Sequence, residues 1–356
     1  MQLRRIRTND RCRPPGPAHR VLRKLMKIIT VEEHFHHPGA MARVQQLGGP
    51  PPIAMDDSYE ALLQHFMPDR DSSERLGGRR LTHMDRVGID VQVVSHGANN
   101  PGSLNHHEAT ELCRTANDAL AQDISEHPTR FRGFATIPLH DPHAAADEMR
   151  RCVNELGFVG TLVMGTCAGT FLDDDRYEPV LSAAEEVDRP IYLHPGLPPA
   201  SVSNAYYAGN WPGAVQWVFA GPGFGWHAEA GIHTIRMILS GALDRHPNLK
   251  MLSGHWGEFV AGWLDRLDEV FAWCHHLDRP ISQYYRDHVW ITPSGMFNQN
   301  RLKFILAELG HERIIYSEDY PYVESESVSE FLESAELSED QRASIAHRNA
   351  QNLLHI

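Results

Sequence analysis

Short apolar runs alternate along this chain with longer stretches in which apolar residues recur at helical spacing. Eight of the runs read as strands, at 27–32, 91–96, 132–138, 159–165, 190–194, 249–254, 289–293 and 313–317. Helical patterns lie between most of them: 109–126, then 142–155 with Asp141 as its N-cap, then 257–274, where Phe259, Val260, Trp263, Leu264, Leu267, Val270 and Phe271 share one face. Strand alternating with helix means βα units and a parallel sheet. Eight such units in 356 residues predict an α/β fold, a (β/α)8 TIM barrel. Active sites of that fold sit at the C-terminal ends of the strands.

Two stretches break the rhythm. Residues 36–60, with Gly48-Gly49-Pro50-Pro51-Pro52, are long and irregular for a βα connection. Residues 196–228 carry Tyr206, Tyr207, Trp211, Trp217, Phe219, Phe224 and Trp226 among glycines and prolines. Both are expected to be long lid loops at the C-terminal strand ends, with the aromatics covering or shaping a pocket. The alternative is that these aromatics pack a subunit interface.

Charge divides the chain into two parts. Residues 1–25 hold eight Lys/Arg against one Asp, and the remainder carries 25 basic and 45 acidic residues, a balance near −20. Residues 1–25 lack the apolar core of a secretory signal and read as a disordered or non-native basic extension. The expected domain plan is therefore that extension followed by a single barrel domain over 26–356. The acidic body disfavours nucleic acid or an anionic membrane as partner. No apolar window is long enough to span a bilayer. Five scattered cysteines without a CxxC suit reduced thiols, and a cytoplasmic location is expected.

The candidate chemistry gathers at the strand ends. Glu32 and His34 end the first strand two residues apart, a spacing that puts both on one face and turns Glu33 away. His194 closes Ile191-Tyr192-Leu193, His255 and Glu258 follow 249–254, and Asp319 follows Ile314-Ile315-Tyr316-Ser317-Glu318. A single histidine among 23 carries little weight, and His36, His37, His106, His107, His275 and His276 are given no role. Two carboxylates and two imidazoles from strands one, five and eight make a mixed oxygen and nitrogen shell for one divalent ion, Zn2+ or alternatively Mn2+. The fourth strand carries no Lys, Glu or Cys to bridge a second ion, so the centre is expected to be mononuclear.

Together these residues resemble the amidohydrolase superfamily, in particular its ACMSD-like branch of metal-dependent decarboxylases. The Glu32-Glu33-His34-Phe35 start is similar to that of dihydroxybenzoate (γ-resorcylate-type) decarboxylases, where other branches carry His-x-His. The likeness runs over 26–356. It includes Arg80-Leu-Thr-His-Met-Asp-Arg-Val-Gly-Ile-Asp90, Asn117-Asp118, His194-Pro195, Asp244-Arg-His-Pro-Asn-Leu249, Gly254-His-Trp-Gly-Glu258 and Ser317-Glu-Asp-Tyr-Pro321. It implies Glu32, His34, His194 and Asp319 as metal ligands, His255 and Glu258 beside the substrate, and Arg266 as a substrate-binding residue. It further implies a homodimer or homotetramer.

The expected activity is non-oxidative decarboxylation of a hydroxylated aromatic carboxylic acid, with Asp319, His255 and Glu258 as the catalytic groups. A metal-dependent hydrolase of an ester, lactone or amide is the alternative. A non-catalytic barrel that binds an aromatic acid is the third reading, and the intact ligand set argues against it.

Overall fold

Seven parallel strands form two sheets that meet edge to edge, with order β1-β2-β3 and β4-β5-β6-β7. They are β1 (Ile29–Phe35), β2 (Val91–His96), β3 (Phe131–Gly133), β4 (Thr161–Met164), β5 (Ile191–His194), β6 (Met251–Ser253) and β7 (Val289–Ile291). This computed structural model describes residues 26–48, 53 and 55–356. The expectation for residues 1–25 lies outside the described residues, as does that for 49–52 and 54 in the first long insertion.

An isolated parallel bridge between Ala135 and Thr161 joins the two sheets. The expected eighth strand, 313–317, is reduced to a single bridge from Ile314 to Ile291. Its next step closes the ring, because the Val31 N–H donates to the Tyr316 carbonyl at 3.0 Å. The (β/α)8 barrel is therefore present, with its last strand barely longer than one pairing.

Alternation along the strands sorts the core. Ile29, Val31, Val91, Val93, Leu162, Tyr192, Leu252 and Ile315 make one buried cluster that fills the barrel, joined by Leu353 and Leu354 of the last helix. Val94, Val163, Leu193, Met251 and Ile291 belong to the second cluster, packed with Met84, Leu120, Met149 and Leu264 from the surrounding helices. Each of these large aliphatic side chains contributes about 1.5–3 kcal/mol on burial.

The helices at Ala109–Glu126 and Pro142–Asn154 match the sequence pattern, and Asp141 caps the second by accepting from the N–H groups of His143 and Ala144. The expected helix over 257–274 is different. It becomes a 3-10 turn at Val260–Trp263 followed by a short helix at Leu264–Phe271. Ahead of it, His255, Trp256, Gly257, Glu258 and Phe259 all have positive φ, a backbone that no helix continues through.

The two long insertions are partly helical and pack on each other. Helices occupy Pro38–Gly48, Asp57–Phe66 and Gly213–Ala220. The Asp56 carboxylate accepts from the Gly213 N–H at 2.9 Å, and the Phe66 and Trp217 rings meet edge to face at 5.1 Å. Tyr207 is buried, while Tyr206, Trp211, Phe219 and Phe224 remain exposed.

Candidate metal centre

The strand ends bring Glu32, His34, His194, His255, Glu258 and Asp319 to one place. Donor atoms of His34, His194 and Asp319 lie within 4.8 Å of one another. The His34 Nε2 stands 3.2 Å from Asp319 Oδ1, and the His194 Nε2 stands 3.7 Å from Glu32 Oε1. His255 and Glu258 flank them, with His255 Nδ1 at 3.8 Å from Glu32 Oε1.

Each imidazole is held so that a lone pair faces the centre. His194 Nδ1 bonds the Pro195 carbonyl at 2.8 Å, so it must carry the proton and Nε2 is left free. The Ser95 hydroxyl donates to the Glu33 carbonyl at 3.3 Å and lies 3.1 Å from His34 Nδ1, from which it accepts. That leaves the His34 Nε2 lone pair aimed at the same space. Such fixing of the far ring nitrogen is what a histidine ligand requires.

Glu32 is treated the same way. Its Oε2 accepts from the hydroxyls of Thr292, at 2.8 Å, and Ser294. Its Oε1 is buried and has no hydrogen-bond partner among the described residues, and the same holds for His34 Nε2. A fully buried carboxylate oxygen and a fully buried imidazole nitrogen left without partners are costly unless something cationic satisfies both. Gly254 makes room for the carboxylate, since a Cβ there would come within 2.6 Å of Glu32 Oε1. Two carboxylate oxygens and two imidazole nitrogens converging on one space fit a divalent cation.

The backbone at these positions is unusual. Glu32, His255, Glu258 and Asp319 all have positive φ, at 69°, 47°, 51° and 68°, as does Ser294. Non-glycine residues adopt this region at a cost of about 1–3 kcal/mol each, and such residues gather at working sites. Here the left-handed turns redirect side chains from the strand ends toward the barrel axis. Glu32 and His34 therefore reach the centre through a bulge in β1 between Thr30 and Glu33, and not through plain alternation.

Burial and charge tune the acids and bases. Burial pushes the Asp319 carboxyl up to about 7, with His255 and His227 pulling the other way. Burial also raises Glu32 and lowers His34 to about 4. For His255 burial works against the charged form, yet the Glu258 and Glu32 carboxylates carry it to about 9. Glu258 resists burial through His255 and His227 and stays below the usual carboxylate value.

Several participants are invisible to sequence reasoning. Glu33, turned away as expected, is buried and accepts from the Glu318 and Tyr320 N–H groups on either side of Asp319. Arg80 is fully buried behind it, donating to the carbonyls of His34 and Ser72 and lying 4.7 Å from the Tyr320 ring centre. Thr292 and Ser294 follow β7, a strand end from which no candidate was drawn. His227, within the aromatic stretch, bonds Glu258 at 2.8 Å. Arg266 is not brought to the cluster. It lies on the exposed side of its helix, 59 % exposed, and pairs with Glu269 at 2.8 Å.

A cavity of about 400 Å³ opens beside the centre and is lined by His227, His255, Glu258, Phe259, Trp263 and Arg301, among others. No helix among the described residues is long and apolar enough to cross a membrane.

Comparison with known proteins places this geometry. The decarboxylase orsB of Emericella nidulans is 36% identical over 339 residues, covering 92% of this chain and 97% of that protein. The gamma-resorcylate decarboxylase of Rhodococcus jostii is 33% identical, covering 92% and 98%. The crystal structure of dihydroxybenzoic acid decarboxylase from Polaromonas, with bound manganese and the inhibitor 2-nitroresorcinol, superposes with a TM-score of 0.79 at 30% identity, covering 93% of this chain and 97% of that one. The amidohydrolase family profile matches residues 40–356, every strand of the barrel except β1 with its Glu32 and His34, and the chain belongs to the amidohydrolase family.

Proposed function

We propose that this protein is a metal-dependent decarboxylase that removes carboxylate, without oxidation, from an aromatic acid bearing an adjacent hydroxyl. The observation that carries the reading is the buried, unsatisfied Glu32 Oε1 and His34 Nε2 beside His194 and Asp319, together with burial that pushes the Asp319 carboxyl up. The likeness to decarboxylases of hydroxylated benzoates over more than nine-tenths of the chain supports it.

A divalent cation held by Glu32, His34, His194 and Asp319 supplies charge neutralisation and orientation for a carboxylate and its neighbouring phenolic oxygen. Zn2+ suits the mixed donor set and Mn2+, present in the Polaromonas structure, is the alternative. Burial favours the protonated form of the Asp319 carboxyl, the form a general acid needs. Asp319 delivers that proton to the ring carbon bearing the carboxylate. The bond between that carbon and the carboxylate then breaks, its electron pair returns to the ring, and CO2 leaves. His255, its Nδ1–H committed to Glu258 at 2.7 Å, presents Nε2 to the substrate and assists the proton transfer. Arg266 is left out of this reading for substrate bound in its own subunit, because it faces away. The exposed aromatics of the second insertion serve as pocket cover or as the contact of a homodimer or homotetramer, in the cytoplasm.

Elemental analysis of the purified protein followed by a CO2-release screen over hydroxybenzoates tests the reading. Reaction in D2O is expected to place deuterium on the ring carbon that lost the carboxylate. Hydrolysis would instead place 18O from labelled water in the product, and that result together with silence across the panel overturns the proposal in favour of a hydrolase.

A further inference from the structure

The catalytic pair of His255 and Glu258 has a third member. His227 opens the helix Gly225–Leu239, and its Nδ1 lies 2.8 Å from Glu258 Oε2 while His255 Nδ1 lies 2.7 Å from Glu258 Oε1. The two imidazoles meet edge to face with ring centres 4.4 Å apart. One buried carboxylate is thus clamped by two rings, one on each oxygen.

The hydrogen-bond inventory fixes the direction of the two contacts to Glu258. A carboxylate only accepts, so both Nδ1 atoms must carry protons. The His227 Nε2 lies 3.1 Å from the Trp226 indole N–H and 3.1 Å from the Pro222 carbonyl, so the far end of that ring is held between Trp226 and Pro222. Both imidazoles therefore donate to Glu258, one from each side.

We propose that His227 is a positioning residue of this site: by occupying the second oxygen of Glu258 it keeps that carboxylate turned to His255 and so holds the His255 ring in the orientation that meets substrate. This rests on the decarboxylase reading for the reaction it serves. Without His227 the Glu258 carboxylate has a buried oxygen with no donor, and rotation to find one breaks the 2.7 Å bond to His255. The backbone adds a reason for the clamp. His255 through Glu258 run through consecutive left-handed conformations, a segment with no regular hydrogen-bond ladder of its own to hold its side chains. The helix bearing His227 is regular over 15 residues and supplies the rigid support that segment lacks.

Three measurements on the full-length, metal-loaded protein test the proposal. His227→Leu removes the donor, and His227→Asn keeps an N–H donor close to the position of Nδ1. His227→Leu is expected to lower kcat about 10–100-fold with KM within about threefold and metal content unchanged, the range seen when outer partners of a site are removed. His227→Asn is expected to recover most of that loss. Independently of turnover, NMR of protein labelled with 15N-histidine is expected to show the His255 Nδ1–H as a hydrogen-bonded, exchange-protected proton in the wild type and to lose that signal in His227→Leu. An unchanged His255 Nδ1–H signal in His227→Leu overturns the proposal. So does equal loss of kcat and metal in both variants, which marks His227 as a packing residue only. If the wild type releases no CO2 from any hydroxybenzoate the decarboxylase reading fails, and the Nδ1–H measurement alone then decides the role of His227.

Discussion

Glu33 holds Asp319 in place without touching its side chain. Its two carboxylate oxygens accept from the N–H of Glu318, at 3.0 Å, and of Tyr320, at 2.8 Å, the residues immediately before and after Asp319. The contact joins the first strand to the end of the eighth across the barrel closure, and Glu33 is fully buried. Glu33→Gln turns an NH2 toward one of the two backbone donors and leaves it unsatisfied. The expected result is metal affinity lower by about 10–100-fold, the range for lost outer partners. Titration of the metal-free variant measures it, and wild-type affinity removes Glu33 from the site's support.

Asp319→Asn keeps the shape of the side chain but carries no transferable proton. Turnover is expected to fall by at least about 10²–10⁴-fold, the contribution of a positioned general acid, while the protein stays folded by circular dichroism. Near-normal CO2 release in this variant rules out Asp319 as the proton donor.

With divalent ions stripped, Glu32 Oε1 and His34 Nε2 are buried without hydrogen-bond partners among the described residues. Dialysis against a chelator is expected to abolish activity, and Mn2+ or Zn2+ to restore it. Ion at about 100 times its dissociation constant adds about 2.7 kcal/mol to the folded state, which is read as a rise in Tm of several degrees. A melting curve indifferent to the ion shows that the donor set binds none.

His233, on the helix that also carries His227, gives the fold an acid-sensitive point. It is buried, accepts from the Leu172 N–H at 3.1 Å, and burial lowers it from 6.5 to about 4. The unfolded chain binds a proton here that the folded one refuses. The stabilisation is therefore complete above about pH 6.5 and is lost as pH falls toward 4, by up to about 3 kcal/mol. His233→Gln retains an acceptor and is expected to flatten the acid limb of denaturant stability between pH 7 and 4.5. An unchanged limb assigns the acid sensitivity to other groups.

The barrel was legible because its evidence is local. Short apolar runs such as those at Val91–His96 and Ile191–His194 and helical spacing along Ala109–Glu126 are written in consecutive residues, and so is the appearance of Glu32, His34, His194, His255, Glu258 and Asp319 where each strand stops. Chain pattern alone thus determined the architecture and the polar groups at its mouth. The family likeness narrowed the chemistry further.

What tertiary structure decided is where those side chains aim and what steadies them. The expected helix over 257–274 fails at its start because His255 to Phe259 turn left-handed, a conformation no hydrophobic period announces. Glu33 meets residues 285 and 287 positions away, and His227 meets Glu258 across 31 positions. Arg266 belongs to a helical pattern that is correct, yet the helix presents it to solvent beside Glu269. Periodicity reports which face of an element is buried; it carries no information about partners supplied by distant elements. Those partners are selected only when the ring closes and each buried polar group must find its complement.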